Sequence, residues 1–172
     1  MERAGLKVLV IREETRLQGL SDAILLLGHI MDKDEIAEKQ AEKIRKQLDD
    51  ISQTVDTSVV VKKVYYVVGF GEQGDFTAPA GSHIHEIITA AGGKNIGESL
   101  KTWEISREFL FQSDPDIILI RKEDAERFVG TSPYNLLRAV KENHVYAIES
   151  GWIDNVSPRN VNAVEFINQI LK

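Results

Sequence analysis

The chain has 172 residues, no cysteine, and 21 basic against 27 acidic side chains, for a formal net charge of −6. Its 42% hydrophobic and 28% charged content is ordinary for a globular domain and excludes a disordered, collagen-like or disulfide-stapled chain and a zinc–thiolate site. The acidic balance argues against general nucleic-acid binding, which needs a basic face. The lack of cysteine fits an oxidising compartment and the cytosol equally.

Met1 to Gly5 leads into Lys7-Val8-Leu9-Val10-Ile11, a short strand-like run with neither the long apolar region nor the cleavage site of a secretory signal. Residues 17–30 then place Leu17, Leu20, Ile24, Leu27 and Met31 three and four apart, the spacing of one helix face. The longest unbroken apolar stretch, Ala23 to Leu27, is far too short to span a membrane. A second helix is expected from Asp32, with Asp32 and Glu35 as the two ends of a capping box. Its stripe of Ile36, Ile44, Leu48, Ile51 and Val55 is narrow, with Ala37 and Ala41 alongside. The remaining positions carry charges, including Glu35–Lys39 and Glu42–Lys46 in the favourable order. Such a helix, about 30 Å long, reads as a solvated surface helix or as a spine joining two lobes.

Val59 to Val68 is rich in β-branched and aromatic residues and reads as a strand buried on both faces. A glycine-rich loop, Gly69 to Gly81, follows. Ser82 caps a helix to about Ala91, which Gly92-Gly93 stops. Ser106 caps a short helix to about Ser113, ended by Asp114-Pro115. Asp116 to Ile120 and His144 to Ile148 read as strands. Ser132-Pro133 and Ser157-Pro158 open helices near 133–142 and 158–171. From residue 59 onward this alternation predicts an α/β fold, a parallel sheet between two helical layers.

Gly69-Phe70-Gly71-Glu72-Gln73-Gly74 follows a strand and matches the dinucleotide pattern G-x-G-x-x-G. That pattern works by opening a helix whose amides meet a pyrophosphate. Here Asp75 to Gly81, with Pro79, intervenes. A nucleotide-binding, Rossmann-like domain of an oxidoreductase using Gly69 to Gly74 stays as the alternative to a simple ligand-facing loop. His83 and His85 lie about 200° apart on a helix and cannot share one metal. His83, beside the glycine loop, is either an ordinary first-turn residue or a single axial or hydrogen-bonding ligand. Trp103 and Trp152 sit in connections, as lids on the core or as stacking platforms for a ligand. Glu108, in the first turn after Ser106, suits the helix dipole. Asp114, Asp116, Asp124 and Asp154 read as caps and turns. No catalytic residue, metal site or cofactor is expected.

Three segments together carry a family resemblance. Gly81-Ser82-His83 through Ala90-Ala91-Gly92-Gly93-Lys94-Asn95-Ile96 resembles the "G-S-helix, A-G-G-x-N-I" segment of class III substrate-binding proteins, which serve ABC importers of cobalamin, haem and ferric siderophores. Trp103-Glu104-Ile105-Ser106-Arg107-Glu108 resembles their W-x-x-[VI]-S-x-E stretch, and Ser113-Asp114-Pro115-Asp116 with Ile117-Ile118-Leu119 their "(N/D)-P-D-strand". Leu137 to Tyr146 is similar to their "A-V-K-N-G-x-V-Y" run, with Glu142-Asn143 in place of its ending.

The resemblance implies two α/β lobes joined by a long helix. Residues 57–172 correspond to the second lobe, 32–56 to the spine helix and 1–31 to a short strand–helix remnant of the first lobe. It implies binding of an iron complex, haem or cobalamin without catalysis, with Trp103, Phe76, Ser82, His83 and Trp152 toward the ligand cleft. Glu108 corresponds to the glutamate that docks on an ABC permease. Arg107 and Arg159 are candidates for pairing with an anionic chelate. The family works in the periplasm or at the cell surface, although no signal peptide is visible here. Exposure of Leu20, Ile24 and Leu27 suggests a homodimer formed by exchange of the N-terminal segment.

Overall fold

A computed structural model describes residues 17–55 and 60–172. The strand expected at Lys7–Ile11 lies outside the described residues. Helix α1 (Leu17–Ile30) and helix α2 (Asp34–Ser52) run antiparallel, with Gly28 against Ala37 and Asp22 near Arg45. The capping box at Asp32 does not form. Asp32 sits in the turn at φ 54°, and Lys33 occupies the N-cap without a side-chain bond. The chain reverses within three residues, and a left-handed residue is what so short a reversal needs.

The buried face of α2 is Ala37, Ala41 and Ile44, whereas Ile36 is exposed. Small residues win because α1 crosses there at close range. On α1, Leu17 and Leu20 are buried, Ile24 is half-buried, and Leu27 and Met31 face outward. The expected five-residue stripe is therefore covered only at its N-terminal end. There α1 and α2 meet the rest of the fold through Leu17, Leu48 and Ile51.

The sheet is parallel and four-stranded, from β1 (Lys63–Val67), β2 (Lys94–Asn95), β3 (Ile117–Arg121) and β4 (Val145–Ile148), in the order β2-β1-β3-β4. β1 starts later than the run of valines suggests, and Val60 is 93% exposed. Its first partner is Lys94, opposite Lys63, so among the described residues no strand offers ladder bonds to Val60 and Val61. Val64, Tyr66, Ile117, Leu119 and Ile148 face one core with helix α3 (His83–Ala90) and helix α8 (Asn160–Leu171). Tyr65, Val67, Ile118 and Ile120 face the other, with helix α4 (Arg107–Ser113) and helix α5 (Ala125–Gly130). The strands are thus buried on both faces, and the expected three-layer α/β lobe is present.

Local signals place most helix ends. Ser82 Oγ accepts from the His85 amide (3.2 Å) and Ser106 Oγ from the Phe109 amide (3.1 Å). Gly92, at φ 92°, ends α3. Asn160 Oδ1 accepts from the Ser157 amide and Ser157 Oγ from the Arg159 amide, delaying α8 to Asn160.

The single helix expected near 133–142 is instead a tight turn over 134–136 followed by helix α6 (Arg138–Lys141), and the Ser132–Pro133 peptide is cis. Leu137 between them is extended. Tyr134 is anchored to Asp75, in the loop after β1, and Arg138 to Asp116, just before β3. Passing from one end of the sheet to the other in four residues needs more rise than a helix supplies. The two-residue β2, α5 and the short helix α7 (Ser150–Ile153) had no clear sequence signal.

Candidate functional site

From β1 the chain passes through α3 to β2 on one side, whereas β3 lies on the other side of β1. The carboxyl ends of β1 and β3 therefore flank the point where the winding reverses, where open α/β sheets take ligands. A groove of about 720 Å³ opens there. One wall is Val68 to Gly74 with Phe76; the other is Arg121, Asp124, Arg127 and Thr131.

The glycine loop turns back on itself. The Phe76 amide donates to the Gly69 carbonyl (2.9 Å) and the Val68 amide to the Phe76 carbonyl (3.0 Å). Gly74 has φ 109°, and a Cβ there would come within 3.2 Å of the Phe76 ring, so glycine serves both the turn and the close approach. No helix opens inside the loop, since the first helical residue after it is His83. The amide cradle required for dinucleotide binding is absent among these residues, and nothing in the groove favours that alternative.

Asp75 holds the loop. Its side chain is only 4% exposed and takes hydrogen bonds from the Tyr134 hydroxyl, Arg107 Nε (2.9 Å) and the Gly71 amide (3.3 Å). Arg107 Nη2 also donates to the Gly71 carbonyl (3.0 Å). Burial first, and then the bond to Asp75, push the Tyr134 hydroxyl pKa up, which keeps it a donor. Because Arg107 opens α4, the ligand-side loop is fastened to the helix that carries Glu108.

The opposite wall is organised by Asp154, which accepts from the Tyr66 hydroxyl (2.5 Å) and Arg121 Nε (2.7 Å). Arg121 Nη1 donates to the Val68 carbonyl (3.2 Å). Arg127 lies over the Phe70 ring, 4.0 Å from its centroid, and donates to Asp124 (2.6 Å). Asp114, Asp124 and Asp154 sit at helix ends as expected; in addition Asp124 and Asp154 pair with the groove arginines, and Asp114 and Asp116 with Arg138.

The expected ligand-side residues fall into two groups. Phe76 lines the groove. Trp103, 41% exposed, follows β2, and its carbonyl accepts from the Thr77 amide (2.8 Å), beside the bridge between Phe76 and Glu104. Ser82, His83 and Trp152 use their side chains within the fold. Ser82 Oγ donates to the Pro79 carbonyl (2.7 Å) as well as capping α3. Buried His83 holds the Ile153 carbonyl through Nε2 (2.8 Å). Half-buried Trp152 meets Phe166 edge-on at the margin of the core. Glu108 is exposed in the first turn of α4.

The A-G-G-x-N-I segment also acquires a physical role. Buried Asn95 donates to the Ala78 carbonyl (2.8 Å) and accepts from the Gly97 amide (3.0 Å), tying the end of the groove loop to β2. Asp75, Tyr134, Arg121 and Arg127 escaped the sequence reading, since each acts through partners more than thirty residues away or through a ring face. Among the described residues no three metal-ligating side chains converge, and no helix is long and apolar enough to cross a membrane.

The lobe is doubly wound, with a groove at its strand ends. A family profile described as "Periplasmic binding protein" matches residues 2–151, and the chain belongs to that family. It is 25% identical over 151 residues to a vitamin B12-binding protein of Vibrio campbellii, covering 86% of this chain and 54% of the relative. It is 27% identical over 165 residues to that of Salmonella typhi, covering 94% and 59%. The chain thus spans little more than half the length of these curated relatives.

Among solved structures, the haem-binding protein HutB of Vibrio cholerae superposes with a TM-score of 0.86 at 19% identity, covering 99% of this chain and 69% of that one. The vitamin B12-binding protein BtuF of Vibrio cholerae gives 0.82 at 22%, covering 99% and 66%. These structural likenesses establish the fold.

Proposed function

We propose that this chain binds a metal chelate or tetrapyrrole (an iron complex, haem or cobalamin) as one lobe of an ABC importer's substrate-binding protein, without catalysing a reaction. The observation that carries this reading is the switch-point groove between Phe76 and Arg121, in a chain of this family. Phe76, on the groove lining, is a contact residue, and Trp103, exposed on the segment that pairs with Thr77, is the second. Ser82, His83 and Trp152 hold the surrounding loops in place. Residues 57–172 act as the ligand lobe and 32–56 as the spine beside the short 1–31 segment. Work on the outer face of the membrane follows from the same reading.

Delivery to a permease rests on Glu108, an exposed carboxylate whose helix is fastened to the groove loop by Arg107. The outward face of Leu26, Leu27, Ile30, Met31 and Ile36 supports self-association. A monomeric mass across a concentration series in light scattering would remove that part.

Tryptophan fluorescence tests the main reading. The chain is titrated with haem, cobalamin, ferric siderophores and NAD, with inner-filter correction. Saturable quenching by one metal complex, lost in Trp103→Ala and weakened in Phe76→Ala, is the expected result. Saturable binding of NAD alone would overturn it.

A further inference from the structure

The groove wall contains two guanidinium groups, and each is already paired with a carboxylate. Arg121 is committed to Asp154 and to the Val68 carbonyl, and Asp154 is held a second time by the Tyr66 hydroxyl. Arg127 is committed to Asp124 and to the face of Phe70. Glu72, also on the lining, adds another carboxylate. Among the described residues that form or brace the groove, Arg107, Arg121 and Arg127 therefore face Glu72, Asp75, Asp124 and Asp154. An anionic ligand meeting Arg121 or Arg127 would lie beside a carboxylate already paired with it. Like charges set side by side in a partly desolvated site disfavour binding. The neutral groups on this wall, the Phe76 ring and the exposed Gln73 amide, carry no such penalty.

We propose that this groove selects an electroneutral metal complex and discriminates against polyanionic ones, because Asp154 and Asp124 already neutralise Arg121 and Arg127. The proposal rests on the metal-complex binding reading above and adds the charge class of the ligand. Arg121 and Arg127 act as internal ties that shape the groove wall, and Asp124 is a specificity-determining residue.

Equilibrium dialysis of the full 172-residue chain at fixed ionic strength tests it with four probes. A ferric trihydroxamate and cyanocobalamin are electroneutral; a ferric tris-catecholate and haem carry negative charge. The tightest-bound probe should be an electroneutral one, by about tenfold or more over either anion. Asp124→Asn, which releases Arg127, should raise the affinity for an anionic probe by about threefold or more. An anionic probe bound tightest in the unmodified chain would overturn the proposal, as would Asp124→Asn leaving anion binding unchanged. Failure of all four probes to bind would overturn the underlying binding reading instead, a result distinct from anion preference.

Discussion

The two ends of the sheet are both tied by arginine and aspartate, but in different surroundings. At the carboxyl ends, Asp75 is almost fully buried and gathers donors from three separate segments. At the amino ends, Arg138 bridges Asp114 (2.9 Å) and Asp116 (2.8 Å), and the Lys63 amide donates to Asp116 (2.8 Å). These side chains remain more than a third exposed, so water screens them. Chemically similar pairs therefore do different work. The amino-end cluster sets the spacing of β1 and β3 at little energetic consequence, whereas the carboxyl-end cluster is decisive for the shape of the groove loop.

Breaking the buried cluster should show the largest effect. Asp75→Ala leaves the Tyr134 hydroxyl and Arg107 without their shared acceptor and should cost about 3 kcal/mol in urea unfolding. A loss under about 1 kcal/mol would mean that water replaces the carboxylate easily and that the contrast between the two ends is smaller than drawn. Tyr66→Phe removes one of two donors to Asp154 while keeping the ring in the core, and should cost about 1 kcal/mol.

Arg138→Ala should cost about 1 kcal/mol or less, despite its three carboxylate contacts, and should be sensitive to salt. It has a second signature in pH. Burial pushes the Asp116 carboxyl pKa up, but the Lys63 amide and the Arg138 guanidinium outweigh it and hold the carboxyl below the ordinary aspartate range. A depressed folded-state pKa contributes stability that is present above the unfolded value and lost as pH falls through the folded one. Stability should thus decline below about pH 4, and the decline should flatten in Arg138→Ala, as read from urea midpoints across that range.

The smallest effect is expected at Glu108. Glu108→Lys alters one exposed first-turn charge and should shift stability by only about 0.5 kcal/mol. Circular-dichroism melting checks this. A preserved melt together with lost binding to a permease partner would separate docking from the favourable placement of a carboxylate near a helix start.

Much of the layout was legible because it depends on local chemistry. Ser82 and Ser106 cap the helices they were expected to cap, and Gly92 stops α3. The β-branched runs at Val64–Val67 and Ile117–Ile120 are buried on both faces, as their lack of polar alternation requires. Errors gathered where a neighbour decided the outcome. Ile36 looked like part of an apolar stripe, but the close crossing of α1 chose Ala37 and Ala41 instead. Pro133 looked like the opening of a helix, but Tyr134 and Arg138 are held at opposite ends of the sheet and the helix breaks between them. The groove residues divide in the same way. Phe76 was legible only through the family resemblance of its loop, whereas Asp75 next to it gave no sign of its buried bond network.

The α/β alternation, the helix caps and the family motifs were legible in the residue order alone, because each depends on residues within a few positions of one another. Only the tertiary structure decided which arginines are free. Arg121 finds Asp154 and Arg107 finds Asp75 across more than thirty residues, and a charge acts according to what lies a few ångströms away. The net charge of the chain gives no hint of that pairing, and it is the pairing that sets the character of the groove.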